Sequence, residues 1–215
     1  MPGREIIVGV SGASGASLAR RFVELAATAP GLSRLHLVFS EASLEVARSE
    51  LDRRIASPED WVARLRLPPG ARRRMVVHPN GEVGAPIASG SYPAAGMIVI
   101  PCSAGTLGAI AQGISRDLLQ RAADVCLKER RPLVLAFRET PYSLVHVENM
   151  RRVTQAGAIV APPSPAFYID SPSLDRFLDA YCTRVARMLG VEPRGEGFRW
   201  TGRGAGPSAP RRRRR

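Results

Sequence analysis

The stretch IIVGVSGASGA, residues 6–16, decides the fold class. Its first half is an apolar run of strand length, and its second half is a turn of small residues that leads into an amphipathic segment. Apolar runs and amphipathic segments alternate in this way along the rest of the chain. That alternation is typical of α/β proteins. We therefore predict a single doubly wound α/β domain, a mostly parallel sheet with helices on both faces in three layers.

The same patterns give the individual elements. The predicted strands cover 6–10, 35–39, 75–78, 97–100, 133–137 and 158–160. The predicted helices cover 16–27, 42–49, 106–112, 118–127, 144–155 and 173–189.

Composition indicates one folded domain followed by a basic tail. The 215 residues are 45% hydrophobic, which is enough for one substantial core. Half of the net charge of +12 lies in residues 191–215, where eight arginines stand against two glutamates among many Gly and Pro. We predict a folded domain over 1–190 and a disordered tail over 191–215. Because so much charge lies outside the fold, we predict no specific nucleic-acid partner.

Compartment and metal content are also indicated. No apolar run reaches the roughly 20 residues of a membrane span, and the N-terminus lacks the layout of a signal peptide. We therefore predict a cytoplasmic protein that does not engage a membrane. Cys102, Cys126 and Cys182 are odd in number and widely spaced, which suits a reducing compartment and predicts no metal site.

Small and polar residues follow four of the predicted strands. The turn 11–15 follows the first strand, Ser40 the second, PCSAGT at 101–106 the fourth, and RETP at 138–141 the fifth. The carboxyl ends of parallel strands meet at one edge of a sheet, where ligands bind. Glycines 12 and 15 allow a tight turn, and the helix that follows offers free N–H groups to an anion. We predict one crevice at this edge, without a Rossmann dinucleotide motif or a P-loop.

Two residues in this region invite a chemical interpretation. Cys102 could act as a nucleophile, but no histidine stands in a comparable loop to activate it, so we do not expect a catalytic cysteine. Lys128 is the only lysine among 31 basic residues. A lysine ammonium is a compact point charge that arginine does not reproduce. Together with Arg138, Glu139, Tyr168 and Arg184, Lys128 is predicted to form a pocket for a phosphate monoester.

These segments together resemble the flavin prenyltransferases of the UbiX type, also known as phenylacrylic acid decarboxylases. The resemblance rests on IIVGVSGASGA, APIASGS, PCSAGTL and KERRPL followed by RETP, and it extends to the last helix. It implies a flavodoxin-like or Rossmann-like fold and a homo-oligomer, by family a dodecamer. It further implies a reaction in which dimethylallyl phosphate prenylates N5 and C6 of reduced FMN, without a metal. The product, prenylated FMN, would serve a UbiD-type decarboxylase.

The resemblance also implies roles for individual residues. The implied FMN contacts are Gly12, Ala13, Ser14, Ser40, Ser103, Ala104, Gly105, Thr106 and Arg138. The implied prenyl-phosphate contacts, in part assembled across subunits, are Ser89, Gly90, Arg121, Lys128, Tyr168 and Arg184. The implied catalytic residues are Lys128, Glu139, Ser14 and Glu50.

Two other functions stay open at this point. The chain could be an FMN-binding carrier subunit that delivers flavin to a decarboxylase, or it could itself decarboxylate an aromatic acid. A carrier has no need of a second phosphate pocket, so Lys128, Glu139 and Arg184 favour the prenyltransferase.

Overall fold

The computed structural model describes residues 3–167 and 173–194. Within these residues lie six strands: Arg4–Val10 (β1), Leu32–Phe39 (β2), Met75–His78 (β3), Met97–Cys102 (β4), Leu133–Phe137 (β5) and Ile159–Val160 (β6). The α-helices in the same part of the chain, α1 to α7, are Ala16–Ala27, Glu41–Glu50, Pro58–Ala63, Ala104–Ala111, Leu118–Lys128, Leu144–Gln155 and Leu174–Met188.

The strands form one sheet in the order β3-β2-β1-β4-β5-β6, and every pairing is parallel. The strand order reverses direction between β1 and β4, so the two helices that follow these strands leave on opposite faces. A crevice therefore opens at the carboxyl ends of β1 and β4, which is where ligands bind in sheets of this kind. The predicted doubly wound α/β fold is confirmed.

Alternation along β1 sorts its side chains into two core layers. Ile6, Val8 and Val10 point to the layer that contains α1 and α7, whereas Ile7 points to the layer that contains α4 and α5. Both layers are apolar, and β4 and β5 are buried throughout, as expected for strands covered on both faces. The rigid sheet thus fixes the positions at which the loops emerge.

The structure differs from the predicted elements in a few places. Strand β2 begins at Leu32 rather than at residue 35, β6 is only two residues long, and the helix α3 was not predicted. Residues 195–215, which make up most of the predicted tail, lie outside the described part of the chain. Of the helices described, none is long and apolar enough to cross a membrane.

Candidate active site

Four strand ends come together in what we call the carboxyl-edge crevice, formed by residues 11–15, 40, 103–106 and 138–139. The Ser11 hydroxyl accepts the backbone N–H of Ser103 at 2.7 Å and donates to the Pro101 carbonyl at 2.9 Å, which joins the ends of β1 and β4. From the end of β5, Arg138 Nε donates to the Ser14 carbonyl at 3.3 Å. The predicted convergence of the loops is present in a single subunit.

The turn 11–15 is closely packed against the beginning of α2. A Cβ placed on Gly12 would lie 2.4 Å from the Cβ of Ala42, so a larger residue would push the turn away from α2. The Ala13 N–H bonds to the Ser11 carbonyl at 2.9 Å, and the Ser40 N–H bonds to the Val10 carbonyl at 3.0 Å. These short bonds hold the turn and the end of β2 side by side.

Glu50 closes the N-terminus of α1. Its carboxylate accepts the backbone N–H of Gly15 at 2.9 Å and that of Ala16 at 2.8 Å. Burial raises the pKa of this carboxyl, but hydrogen bonds from Ser14, Gly15 and Ala16 and the charge of Arg138 outweigh that effect, so the pKa lies below its ordinary value of 4.5. We expected free N–H groups here. The anion at the start of α1 is instead the protein's own glutamate.

At the corresponding turn after β4, fewer of the first backbone N–H groups of the helix have an acceptor within the protein than at the start of α1. The Ser103 hydroxyl caps α4 by accepting the Thr106 N–H at 3.2 Å, and it donates to the Thr106 hydroxyl at 3.0 Å. The first backbone N–H groups of α4, those of Ala104 and Gly105, have no intrahelical acceptor. A Cβ on Gly105 would meet nothing within 4 Å. This helix end is therefore open to a ligand, whereas the start of α1 is capped by Glu50.

Cys102 does not have the properties of a nucleophile. It is fully buried, and burial raises the pKa of its thiol to about 12. A thiol in such a site stays protonated at neutral pH. Elsewhere in the described part of the chain, no three His, Cys, Asp or Glu side chains are grouped so that they could hold a metal ion.

A second group of residues, the amino-edge cluster, consists of Ser89, Gly90, Lys128, Glu129 and Arg131. A Cβ on Gly90 would lie 2.6 Å from Lys128 Nζ and 2.2 Å from a Glu129 oxygen, so the glycine allows the turn to lie against these side chains. Lys128 forms an ion pair with Glu129. The Arg131 guanidinium donates to the Gly90 carbonyl at 2.5 Å and so fastens the turn to the end of α5.

The amino-edge cluster and the carboxyl-edge crevice lie at opposite ends of the sheet. Lys128 precedes β5, whereas Arg138 and Glu139 follow it, and the five residues of β5 amount to roughly 16 Å of extended chain. One subunit therefore does not bring Lys128 to Glu139.

The remaining predicted contacts are distributed as follows. Arg121 lies two helical turns before Lys128 on α5 and pairs with Asp124 at 3.2 Å. Glu139 stays at the crevice, where it accepts the N–H of Thr140 at 3.0 Å. Arg184 is exposed on α7, in the other layer of the fold. Tyr168 lies outside the described residues.

The sequence did not identify Glu129 and Arg131 as members of the amino-edge cluster, and it did not predict that Glu50 caps α1. Glu129 and Arg131 stand inside the KERRPL motif, so the motif itself was the available signal. The bond from Arg131 to Gly90 spans 41 positions along the chain and leaves no local pattern. The capping of α1 by Glu50 was hidden in the same way, because 35 positions separate Glu50 from Gly15.

Comparison with known proteins places the chain among flavoproteins. A family model described as Flavoprotein matches residues 1–175. The flavin prenyltransferase UbiX of Synechocystis is 39% identical over 192 residues, which cover 87% of this chain and 91% of the relative.

Two solved structures are also similar along most of their length. One is AnUbiX (PadA1) in complex with FMN and dimethylallyl pyrophosphate, with a TM-score of 0.80 and 39% identity over 93% of this chain and 98% of that one. The other is a dodecameric FMN-dependent UbiX-like decarboxylase from Escherichia coli O157:H7. Its TM-score is 0.80 at 36% identity, over 92% of this chain and 100% of that chain.

Proposed function

Because the chain belongs to the flavoprotein family and, within it, to the flavin prenyltransferases of the UbiX type, we propose that it transfers the dimethylallyl group of dimethylallyl phosphate to N5 and C6 of reduced FMN. The related AnUbiX has been solved with FMN and dimethylallyl pyrophosphate. The single observation that carries the proposal for this chain is the amino-edge cluster. Its lysine and small-residue turn form a second anion site, which a flavin carrier would not need.

The flavin is assigned to the carboxyl-edge crevice. Its lining of small residues, hydroxyl groups and one guanidinium suits a flat, polar-edged ring with a phosphate tail. Glu50 already occupies the first N–H groups of α1, so we assign the flavin phosphate to the open start of α4, with the N–H groups of Ala104 and Gly105 and the Thr106 hydroxyl. Arg138 is then left for the flavin ring or its phosphate.

The remaining flavin contacts come from the other two strand ends. Gly12, Ala13 and Ser14 are assigned to one side of the ring, and Ser40 lies at the neighbouring end of β2. The reduced flavin supplies nucleophilic N5 and C6 atoms when it is bound. The role of the chain is to hold it, to exclude water and to keep Arg138 and the ionised Glu50 beside it.

The prenyl phosphate is assigned to the amino-edge cluster of a neighbouring subunit. Lys128 and Arg121 provide positive charge, and Ser89 and Gly90 provide a hydroxyl and a backbone N–H. Because one subunit keeps Lys128 and Glu139 at opposite edges of the sheet, the complete site needs the amino edge of one copy against the carboxyl edge of another. We assign Tyr168 and Arg184 to the same pocket. The dodecameric E. coli relative supports an assembly of this kind, and we propose a dodecamer for this chain too.

The chemistry follows from these charges. The allylic C–O bond breaks, and the phosphate leaves with the bonding electron pair. Lys128, Arg121 and Arg184 stabilise the charge that develops on it. Bond formation at N5 releases the N5 proton, whereas closure of the ring onto C6 adds one proton to the prenyl double bond and releases the C6 proton, so one proton is released overall. Glu139, at the crevice, and the departing phosphate can accept the protons from flavin and return one of them to the prenyl double bond, while the ionised Glu50 holds the Ser14 hydroxyl in place. No metal is required, because cationic side chains balance the phosphate.

The proposal is tested by the mass of the flavin. Purified protein is mixed with reduced FMN and dimethylallyl phosphate without oxygen, and the mass of the extracted flavin is measured by mass spectrometry. We expect a gain of one five-carbon unit and the release of one phosphate per flavin. Bound but unchanged FMN would favour the carrier function. We further propose that the product passes to a UbiD-type decarboxylase, which is testable by activation of such an enzyme with the reaction mixture.

A further inference from the structure

A cluster of ionisable side chains, with two buried histidines at its centre, joins β1, β2 and β3 and contains none of the residues assigned to the two substrates. His36 on β2 is 2% exposed and His78 on β3 is 8% exposed. Their nearest ring nitrogens, His36 Nδ1 and His78 Nε2, are 2.9 Å apart. The other nitrogen of His36, Nε2, lies 3.1 Å from Glu5 Oε2 on β1. The Tyr92 hydroxyl donates to the same Glu5 oxygen.

The charge state of Glu5 fixes the direction of these hydrogen bonds. Burial raises the pKa of Glu5, but the bonds from Tyr92 and His36 and the charge of Arg34 outweigh it, so the pKa lies below its ordinary value and the carboxylate is ionised. An ionised carboxylate only accepts hydrogen bonds. His36 must therefore donate from Nε2 to Glu5, which leaves its Nδ1 to accept from His78.

Tyr92 links this cluster to the turn that carries Ser89 and Gly90. Arg131 donates to the Tyr92 carbonyl at 2.6 Å and to the Gly90 carbonyl at 2.5 Å. The Tyr92 N–H bonds to the Ser89 carbonyl at 3.2 Å. Tyr92 is thus held at its side chain by β1 and β2, and at its main chain by Arg131, which lies between α5 and β5.

Apart from the bond from Arg131 to the Gly90 carbonyl, the turn has few contacts that could fix it. Ser89 and Ser91 are exposed, and their hydroxyl groups bond to each other at 2.9 Å. On the preceding side, Ile87 and Ala88 are buried. On the following side, the anchor is Tyr92.

We infer that Tyr92 is a positioning residue for prenyl-phosphate binding, because its hydroxyl on Glu5, backed by His36, holds the turn 89–91 beside Lys128. The inference rests on the proposed function and adds a network that does not touch either substrate. Preorganised groups bind an anion more tightly than groups that must be ordered when it arrives. Loosening the anchor is therefore expected to lower the affinity for the phosphate and to leave the flavin crevice at the other edge intact.

The test replaces the anchoring hydroxyl with Tyr92→Phe. Loss of one hydrogen bond to the partly buried Glu5 carboxylate should raise the KM for dimethylallyl phosphate about tenfold, with kcat changed by less than about twofold. The FMN dissociation constant, measured by flavin fluorescence, should stay the same. Hydrogen–deuterium exchange of the amides of 89–91 should become faster, a readout that is independent of activity.

Tyr181→Phe is the matched control. Its hydroxyl is buried and donates to the Ala161 carbonyl at 2.5 Å, in the layer of α1 and α7. This variant loses a buried hydrogen bond too, so it reports the effect of general destabilisation. It should leave the KM for dimethylallyl phosphate and the exchange of residues 89–91 unchanged.

A second variant, Glu5→Gln, tests whether Tyr92 acts on the turn through its hydrogen bond to Glu5. If Tyr92 acts through Glu5, the double variant with Tyr92→Phe should raise the KM by clearly less than the product of the two single effects. Equal KM values for Tyr92→Phe and Tyr181→Phe would overturn the inference, as would multiplicative effects in the double variant. A wild-type protein that forms no prenylated flavin would instead overturn the proposed function, and the two failures are thereby distinguished.

Discussion

Lys128 is a single point charge in a chain that otherwise uses arginine, and its neighbours explain why a compact group fits there. A Cβ placed on Gly90 would lie only 2.6 Å from the Lys128 ammonium nitrogen, so the turn leaves little space around this group. A planar guanidinium is larger than an ammonium and needs room for its fork. The ion pair with Glu129 keeps the ammonium oriented until an anion competes for it.

Lys128→Ala should weaken the use of dimethylallyl phosphate and spare the flavin. Losing a charged contact costs about 2 kcal/mol, or roughly thirtyfold in KM. The measurements are steady-state kinetics and the FMN dissociation constant. Arg116→Ala, on the loop before α5, serves as the control for the loss of one positive charge. Loss of FMN binding with unchanged use of the prenyl phosphate would reverse our assignment of the two edges.

Glu50→Gln should lower the stability of the fold by about 1 kcal/mol, because an amide can accept from one N–H of α1 but does not carry the charge that favours a helix N-terminus. The difference from wild type should be present above pH 4.5, the ordinary value for the carboxyl, and should disappear as the pH falls through the lowered pKa of Glu50. Urea unfolding at several pH values measures it. Glu45→Gln, exposed on the same helix α2, should have no such effect, and a pH-independent difference would contradict the capping role.

At the scale of elements, the sequence predicted most of the strands and helices because their patterns are local. The helices 16–27 and 144–155 are found with the predicted bounds. The missed helix α3 had a local signal too: Ser57 caps it, Pro58 follows, and Glu59 and Asp60 stand in its first turn. The contacts that assemble each edge, such as Arg131 with Gly90, could not be predicted, since they join distant parts of the chain.

The paired strands β2 and β3 place His36 and His78 in a buried contact that should make stability depend on pH. Burial lowers the pKa of both histidines below 6.5. At His36 the charge of Arg34 also lowers the pKa, whereas Glu5 raises it. At His78 the charge of Glu82 raises the pKa. Both rings are therefore neutral in the fold, whereas the unfolded chain binds protons below about pH 6.5. Their stabilising contribution is complete above that pH and is lost as the pH falls through the lowered values.

Urea unfolding between about pH 8 and 5.5 should show this loss, with a slope of at most about 1.4 kcal/mol per pH unit for each histidine. The variant His36→Gln should flatten the slope. His146→Gln, on α6, removes a histidine outside the buried pair that caps its own helix, and it should keep the slope. An unchanged slope in His36→Gln would exclude the buried pair as its source.

Across the whole molecule, the sheet separates the residues proposed to bind the flavin from those proposed to bind the prenyl phosphate. The carboxyl-edge crevice and the amino-edge cluster lie at the two ends of β5, so neither edge of one subunit can complete the other. Only a second copy can bring Lys128 to Glu139, and the symmetry of a closed homo-oligomer would repeat that contact at every site. We therefore expect the prenyltransferase site to be built from opposite edges of two subunits.

Co-expression of Lys128→Ala with Glu139→Gln tests whether two subunits share each site. Each variant alone should be nearly inactive at limiting dimethylallyl phosphate. In random mixtures, about one site in four should combine an intact crevice with an intact amino-edge cluster. The measurement is the rate of formation of prenylated flavin by mass spectrometry, normalised to protein. We predict about a quarter of the wild-type rate for the mixture; a rate no higher than the average of the two separate variants would contradict the shared site.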